Sequence, residues 1–269
     1  MKKKILGLLM CLVLVGGTLA GCGSKEELKG TVKPATFEEL RTATETAYKD
    51  VESGKFGVNV NADLTMGAED ESMTLKGTVD MSISMDKDTA YVVIKAEGFD
   101  DMLDLDNIEL YMDLENEVTY TCQDGEWVVT EGASIEDLLG EYGISMDTED
   151  TPEIKFDEDL KVETTKDGYV VKKTLTGTEL IDMFSGEEAE EDEMGLEMFA
   201  AIFEKLTVDV EALFNVDKVL NGIDIKITAD NIDMGNGASI NGNIKLSVDM
   251  NDINKCEVTI PQTVLDTAE

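Results

Sequence analysis

Residues 73–85 have the sequence MTLKGTVDMSISM. Its odd-numbered positions hold methionine, leucine, glycine, valine or isoleucine, whereas every even-numbered position is polar. Successive side chains of a β-strand point to opposite faces of the sheet, so this pattern predicts a strand with one buried and one wet face. The strand would be roughly 40 Å long at about 3.3 Å per residue, which is longer than most strands of globular proteins.

The same alternation recurs along the chain and predicts a sheet of many strands. Val58, Val60, Ala62, Leu64 and Met66 alternate with polar residues before this stretch. Further strands are predicted at residues 90–96, 108–114, 118–122, 127–130, 161–165, 169–175, 207–213, 222–229, 239–250 and 256–260. The segments 123–126 and 166–168 each contain Asp-Gly, a sequence typical of tight hairpin turns.

Helical segments flank these strands. Thr36 and Glu39 form the pattern of a capping box, and apolar residues follow at spacings of three and four, which predicts a helix over 37–52. Shorter helices are predicted at 134–142 and 178–184, with an amphipathic segment at about 194–206. The order of elements favours an α+β fold, a curved antiparallel β-sheet with helices packed on one face, in a single domain over 36–269.

The first residues have the layout of an export signal. Lys2, Lys3 and Lys4 precede an apolar run over 5–15, which is too short to span a bilayer. The tetrad Leu19-Ala20-Gly21-Cys22 resembles the lipobox of bacterial lipoproteins. That resemblance implies removal of residues 1–21 as a signal peptide and attachment of fatty acyl chains, such as palmitate, at Cys22. The alternative is an ordinary secretory signal with an incidental cysteine.

Lipid on Cys22 would determine where the protein resides. Two or more acyl chains hold a protein stably on a membrane, whereas one chain holds it only marginally. We therefore predict a protein anchored to the extracytoplasmic face of the cell membrane, whose partner is the membrane itself. Residues 22–35 are mostly polar and are predicted to form a flexible tether.

Composition excludes several classes of function. The chain has 59 acidic and 22 basic residues and a formal net charge of −37, which disfavours nucleic-acid binding because that requires basic patches. The chain contains no histidine, which removes Ser-His-Asp and Cys-His catalytic sites and histidine zinc ligands. The acidic stretches 100–106 and 187–193 lack the EF-hand pattern and are interpreted as solvated. We predict no enzyme, no metal and no cofactor.

Two cysteines outside the signal segment leave two alternatives open. Cys122 and Cys256 lie in predicted strands, and cysteines of an exported protein can form a disulfide. The other alternative is that both are buried, unpaired thiols.

The whole pattern resembles the LolA/LppX-type lipoproteins of the bacterial cell envelope. The similarity is carried by the lipobox cysteine, the capped helix over 36–51, the long alternating strand over 73–85 and the closing sequence Val258-Thr259-Ile260-Pro261. This resemblance implies a half-barrel that holds a lipid or the acyl chain of a partner between sheet and helices.

Methionine suits surfaces that accept varied apolar ligands, and the chain has 14 methionines. The predicted ligand-binding residues are Met81, Ile83, Met85, Met198, Ile202, Phe203 and Ile244, of which Met198, Ile202 and Phe203 belong to a predicted lid. The alternative is that these side chains fill a core, in which case the protein is a non-enzymatic interaction or structural module of the cell envelope.

Overall fold

The computed structural model describes residues 32–68, 71–98, 107–123, 125–132, 160–177, 179, 205–235 and 238–267. In this part of the chain it has two helices and eleven strands. The helices are α1 (Phe37–Tyr48) and α2 (Gln262–Thr267). The strands are β1 (Gly54–Ala68), β2 (Glu71–Met85), β3 (Thr89–Glu97), β4 (Ile108–Asp113), β5 (Val118–Gln123), β6 (Glu126–Glu131), β7 (Val162–Thr164), β8 (Tyr169–Leu175), β9 (Leu206–Phe214), β10 (Leu220–Gly235) and β11 (Ala238–Asn251).

All eleven strands form one antiparallel sheet in the order β6-β5-β4-β3-β2-β1-β11-β10-β9-β8-β7. The chain therefore meanders outward from β1 to β6, and a second meander returns inward from β7 to β11. Pairing of β1 with β11, from Lys55 opposite Asn251 to Gly67 opposite Ser239, joins the two meanders in the middle. Among the described strands, β6 and β7 are the two edges, so the sheet is open.

The predicted fold class is confirmed: the protein is a large antiparallel sheet, consistent with a curved half-barrel, that carries short helices. The predicted strand at 73–85 lies within β2, and both predicted Asp-Gly hairpins are present. The helix predicted over 37–52 ends earlier, at Tyr48. The helices predicted at 134–142, 178–184 and 194–206 lie almost wholly outside the described residues.

One predicted strand is wrong. Residues 256–260 have irregular backbone, and the helix α2 that follows them was not predicted. The backbone N–H of Cys256 donates to Ser53 Oγ and that of Val258 to Asp86 Oδ2, at 3.2 and 2.7 Å. Because these two backbone N–H groups donate to side chains, they are not available for pairing with a neighbouring strand.

The register places apolar and polar side chains on opposite faces of the sheet. Residues directly opposite each other on antiparallel strands point to the same face. Phe56 thus shares a face with Met250 and Ile83, and Asn59 shares the other with Ser247. We call these the apolar face and the polar face.

Two buried clusters cover the flanks of the apolar face. The first, the α1 cluster, joins α1 to strand β1 and to strands β8–β11, and includes Phe37, Leu40, Tyr48, Phe56, Tyr169, Val171, Leu175, Val208, Val210, Ala212, Phe214, Leu220, Ile223, Val248 and Met250. The second, the β3–β4 cluster, includes Ala90, Val92, Ile94, Ile108, Leu110 and Met112. Burial of these apolar surfaces is the main source of stability in such a sheet.

Helix α1 is fixed to the turn between β9 and β10. The Thr36 side chain caps the helix, accepting from the Glu39 backbone N–H at 3.3 Å. The Tyr48 hydroxyl donates to the carbonyl of Leu220 at 2.9 Å, and the Leu220 N–H donates to Thr44 Oγ1 at 3.0 Å. These bonds satisfy backbone groups that the helix would otherwise bury without partners.

The C-terminal segment crosses one end of the sheet, which we call the base end. The Asn254 N–H donates to the carbonyl of Ser53 at 2.8 Å, and Val264 of α2 is buried beside β6. The opposite end, the tip end, carries the turns after Ala68 and after Gly235. Strands β1, β2, β10 and β11 have 14–16 residues each, so they extend past their neighbours toward the tip end.

Candidate functional site

A continuous strip of half-buried apolar side chains runs along the middle of the apolar face. We call it the central strip. Its members are Val58, Val60, Leu64 and Met66 on β1, Leu75, Val79 and Met81 on β2, Ile225 and Ile227 on β10, and Ile240, Ile244 and Leu246 on β11.

The central strip is longer than it is wide. Residues on one face of a strand repeat every two positions, so the three steps from Met81 to Leu75 span roughly 20 Å along the strand. Four adjacent strands at about 4.8 Å spacing give a width of roughly 14 Å. The strip is therefore an elongated apolar surface directed toward the tip end, where Met73 is 48% exposed.

The exposed fraction of the apolar side chains is smaller on the flanking strands than at several positions of the central strands. Val92 and Val210, on the two flanks, are each 2% exposed. Val60 and Val79, on central strands, are only half-buried. Among the described residues, these central side chains therefore keep more apolar surface exposed than those of the two buried clusters, and exposed apolar surface is where a further apolar group can bind.

Four of the predicted ligand-binding residues lie on this face. Met81 and Ile244 belong to the central strip. Ile83 and Met85 lie nearer the base end and pack against both buried clusters. The structure thus brings these four residues to one face, while their binding of a ligand stays a prediction. Met198, Ile202 and Phe203 lie outside the described residues.

Sequence reasoning missed most of the strip. Val60, Val79 and Leu246 lie side by side in one row across β2, β1 and β11. Each strand showed its own alternation, but the row exists only because β11 pairs with β1. A predicted register between these two strands would have identified it.

The two cysteines are free thiols in the structure. Cys122 lies on β5, on the polar face and directly opposite Trp127. Cys256 is buried beside Ser53, and burial raises the pKa of its thiol. The structure therefore shows the alternative of two unpaired thiols, although only Cys256 is fully buried. Cys22 lies outside the described residues.

Neither a metal-binding cluster nor a membrane-spanning helix is present in the described ranges. Within them, no group of three or more cysteine or carboxylate side chains is placed to hold a metal ion. No helix in that part of the molecule has the length and apolar character needed to cross a membrane. The acidic stretches 100–106 and 187–193 lie outside the described residues.

A family model matches residues 36–269, that is, the capped helix, both meanders and the C-terminal segment. The chain belongs to DUF6612, a family of unknown function. No curated protein matches this DUF6612 chain. Because the family shown is DUF6612, the resemblance to LolA/LppX lipoproteins stays a prediction.

Among solved structures, the DUF6612 chain is similar to a DUF1329 family protein from Desulfovibrio piger. Sequence identity is 9%, the match covers 84% of this chain and 95% of that chain, and the TM-score is 0.21. It is also similar to a β-barrel-like protein of the DUF1849 family from Brucella abortus, at 11% identity, 76% and 100% coverage, and a TM-score of 0.21. TM-scores this low carry no argument about fold or function.

Proposed function

We propose that this DUF6612 protein binds an acyl chain on the central strip while it is anchored to the membrane through lipid on Cys22. The observation that carries the proposal is the half-buried apolar strip between two fully buried clusters. An acyl chain laid along the strip would complete the core of the sheet and remove the remaining apolar surface from water.

The chemistry of the strip favours a linear apolar ligand. Its side chains are all aliphatic or methionine, and methionines such as Met66 and Met81 adapt to irregular ligand shapes. In the described residues, every buried side-chain nitrogen or oxygen atom has a hydrogen-bond partner, so none is left to orient a polar ligand. Recognition would therefore rest on shape and on the hydrophobic effect, as in other apolar pockets.

The central strip is suited to binding a ligand and lacks the groups that catalysis would need. No strip side chain can donate or accept a proton. The tyrosines whose pKa values are raised to about 12, Tyr48 and Tyr91, lie elsewhere: Tyr48 on α1 and Tyr91 on the polar face. General acid–base chemistry needs a titratable group within reach of the ligand, and the strip offers none.

The tether would hold the domain within reach of lipid. A flexible chain of n residues has an end-to-end distance of about 5–6 Å × √n, so residues 22–35 would span roughly 20 Å. At that distance the strip could receive an acyl chain from the same membrane or from an acylated partner.

The binding proposal is tested by a blocking substitution with a matched control. We expect Ile244→Trp, in the middle of the strip, to reduce binding of a fluorescent fatty acid, because the indole would cover the surface that the acyl chain contacts. Its melting temperature should change little, since Ile244 is only half-buried. Ser82→Trp, at an exposed position of the polar face on β2, should leave fatty-acid binding unchanged.

Native mass spectrometry of the protein purified from its own membrane provides the second readout. Co-purified lipid supports the proposal. If the parent chain neither carries lipid nor binds the fluorescent probe, and Ile244→Trp lowers the melting temperature sharply, the strip is ordinary core. The protein is then an interaction or structural module.

The anchor is tested separately. We expect Cys22→Ala to move the protein from the membrane fraction to the soluble fraction or to leave the signal segment uncut. This follows because the thiol of Cys22 is the proposed site of acylation. Cys256→Ala is the control and should stay in the membrane fraction. A Cys22→Ala variant that is processed normally and remains on the membrane contradicts the lipobox interpretation.

A further inference from the structure

A groove of about 420 Å³ lies on the polar face, across strands β8 to β11. Two rows of side chains form its walls, and the residues between them form its floor. The first wall is Lys172, Glu211, Asp224 and Ser247, the second is Thr174, Asp209, Lys226 and Lys245, and the floor is Lys173, Val210, Ile225 and Leu246. Because floor residues point their side chains to the apolar face, the groove exposes their backbone.

An opposed pair of lysines stands out in this groove. Lys226 on β10 lies directly opposite Lys245 on β11, so both ammonium groups leave the sheet on the same face. Like charges directly opposite each other destabilise a strand pair. Such a pair is unexpected in a chain with 59 acidic and 22 basic residues, where a carboxylate would be the common neighbour.

Most of the other charged groups of the groove already have partners. Lys172 Nζ lies 3.0 Å from Glu211 Oε1, and the Thr174 hydroxyl donates to Asp209 Oδ1 at 2.6 Å. By contrast, among the described residues neither Lys226 nor Lys245 has a carboxylate oxygen within 4.0 Å of its ammonium nitrogen. Two unpaired ammonium groups at the edge of a cavity are a ready site for an anion.

We propose that this groove binds a small polyhydroxylated molecule that carries an oxyanion, such as a sugar acid or a polyol phosphate. The oxyanion would lie between the ammonium groups of Lys226 and Lys245 and accept hydrogen bonds from both. Hydroxyl groups of the ligand would donate to the carboxylates of Asp224 and Asp209, which are acceptors only. A volume of about 420 Å³ lies within the range of about 300–1,000 Å³ that small-molecule sites occupy.

The balance of charge supports an oxyanion over a cation. The groove walls hold three lysines and three carboxylates, whereas the chain as a whole has a formal net charge of −37. The charges on the groove walls therefore balance, so the groove repels an anion less than the average composition of the chain would. This site is on the polar face, opposite the central strip, so its success or failure is independent of acyl-chain binding.

The experiment is calorimetric titration of the full chain in detergent with glucuronate and with glycerol 3-phosphate. Inorganic phosphate and glycerol are titrated in parallel, to separate the oxyanion from the hydroxyl groups. We expect saturable binding of at least one of the two combined probes, tighter than either fragment. Lys226→Gln and Lys245→Gln should each weaken it about tenfold, since each removes one charged hydrogen bond.

Lys95→Gln is the matched control, because Lys95 is an exposed lysine of the polar face on β3, outside the groove. It should bind the probes as the parent does. Lys245→Glu separates binding from folding: it places opposite charges in the β10–β11 pair, so the melting temperature should rise while probe binding is lost. The proposal is overturned if neither combined probe binds saturably at millimolar concentration, if inorganic phosphate alone binds as tightly, or if Lys95→Gln weakens binding equally.

Discussion

At the scale of single residues, Tyr48 links helix α1 to the sheet. Its ring is 2% exposed within the α1 cluster, and its hydroxyl donates to the carbonyl of Leu220. Burial raises the pKa of Tyr48 to about 12. The same residue thus contributes packing, a buried hydrogen bond and a dependence of stability on pH.

We expect Tyr48→Phe to lower the free energy of unfolding by about 1–3 kcal/mol, because the Leu220 carbonyl loses its buried donor. Urea unfolding at neutral pH measures this change. Tyr120→Phe is the control, because Tyr120 lies half-buried on β5 and should tolerate the change. Equal losses in the two variants would show that the hydroxyl of Tyr48 contributes nothing specific.

The pH dependence follows from the same tyrosine. The folded pKa of Tyr48 lies above its ordinary value of 10.0, so between about pH 10 and 12 the unfolded chain loses a proton that the folded chain keeps. Stability is therefore complete below pH 10 and falls as the pH rises toward 12. Tyr48→Phe should show a smaller alkaline loss than the parent. An identical loss in both proteins would assign it to other groups, such as Tyr91, whose pKa is also raised to about 12.

At the scale of elements, pairing of β1 with β11 depends on one glycine. Gly242 has a φ of +136°, and a Cβ atom there would lie 2.0 Å from the carbonyl oxygen of Asp63. Only glycine allows the two strands to approach so closely in this conformation. The joint between the two meanders therefore has a local steric requirement.

We expect Gly242→Ala to destabilise the fold by about 1–3 kcal/mol from backbone strain, with a further loss from the steric contact. Gly57→Ala is the matched control on β1, since its added Cβ would lie 3.7 Å from Asp249 Cβ, an ordinary contact. That variant should be neutral or more stable by about 0.5–1 kcal/mol. Thermal unfolding of both variants is the measurement, and a stable Gly242→Ala would contradict the close approach of β1 and β11.

The segment 256–260 shows how an alternating sequence can predict a strand that does not form. Val258 and Ile260 alternate as in a strand, but the donors of this segment go to the side chains of Ser53 and Asp86. The residues have the composition of a strand and lack a strand to pair with. This outcome depends on which elements meet at the base end, and the sequence of the segment alone does not contain that information.

At the scale of the whole molecule, the formal net charge of −37 dominates. Isolated surface ion pairs, such as Lys55 with Asp252 at 2.8 Å, contribute little to stability. Long-range repulsion among many carboxylates acts against the compact state, and salt screens it over about 8 Å at physiological ionic strength.

We therefore expect the melting temperature to rise as sodium chloride is added at neutral pH. The increase should vanish near the isoelectric point, where the net charge is close to zero. Differential scanning calorimetry at low and high salt, at both pH values, is the measurement. A melting temperature that falls with salt at neutral pH would mean that attractive ion pairs outweigh the repulsion.

Much of the local structure could be predicted from residue patterns alone. Alternation gave nearly every strand and assigned each side chain to a face, because the pleat of a strand has a fixed period of two. The cap at Thr36 placed the start of α1, since its hydrogen bonds span only three residues. Composition gave the acidic net charge and the absence of histidine, because both depend on residue type alone.

How these elements combine into sites could not be predicted from local patterns, because it depends on which strands pair. The pairing of β1 with β11 creates the row of Val60, Val79 and Leu246, and that of β10 with β11 sets Lys226 against Lys245. Cys122 and Cys256 are likewise unpaired because of where the folded chain places them. Each of these outcomes depends on the relative positions of residues that are far apart in sequence. Their proximity is set by register and burial across the whole sheet, which no single segment of the chain contains.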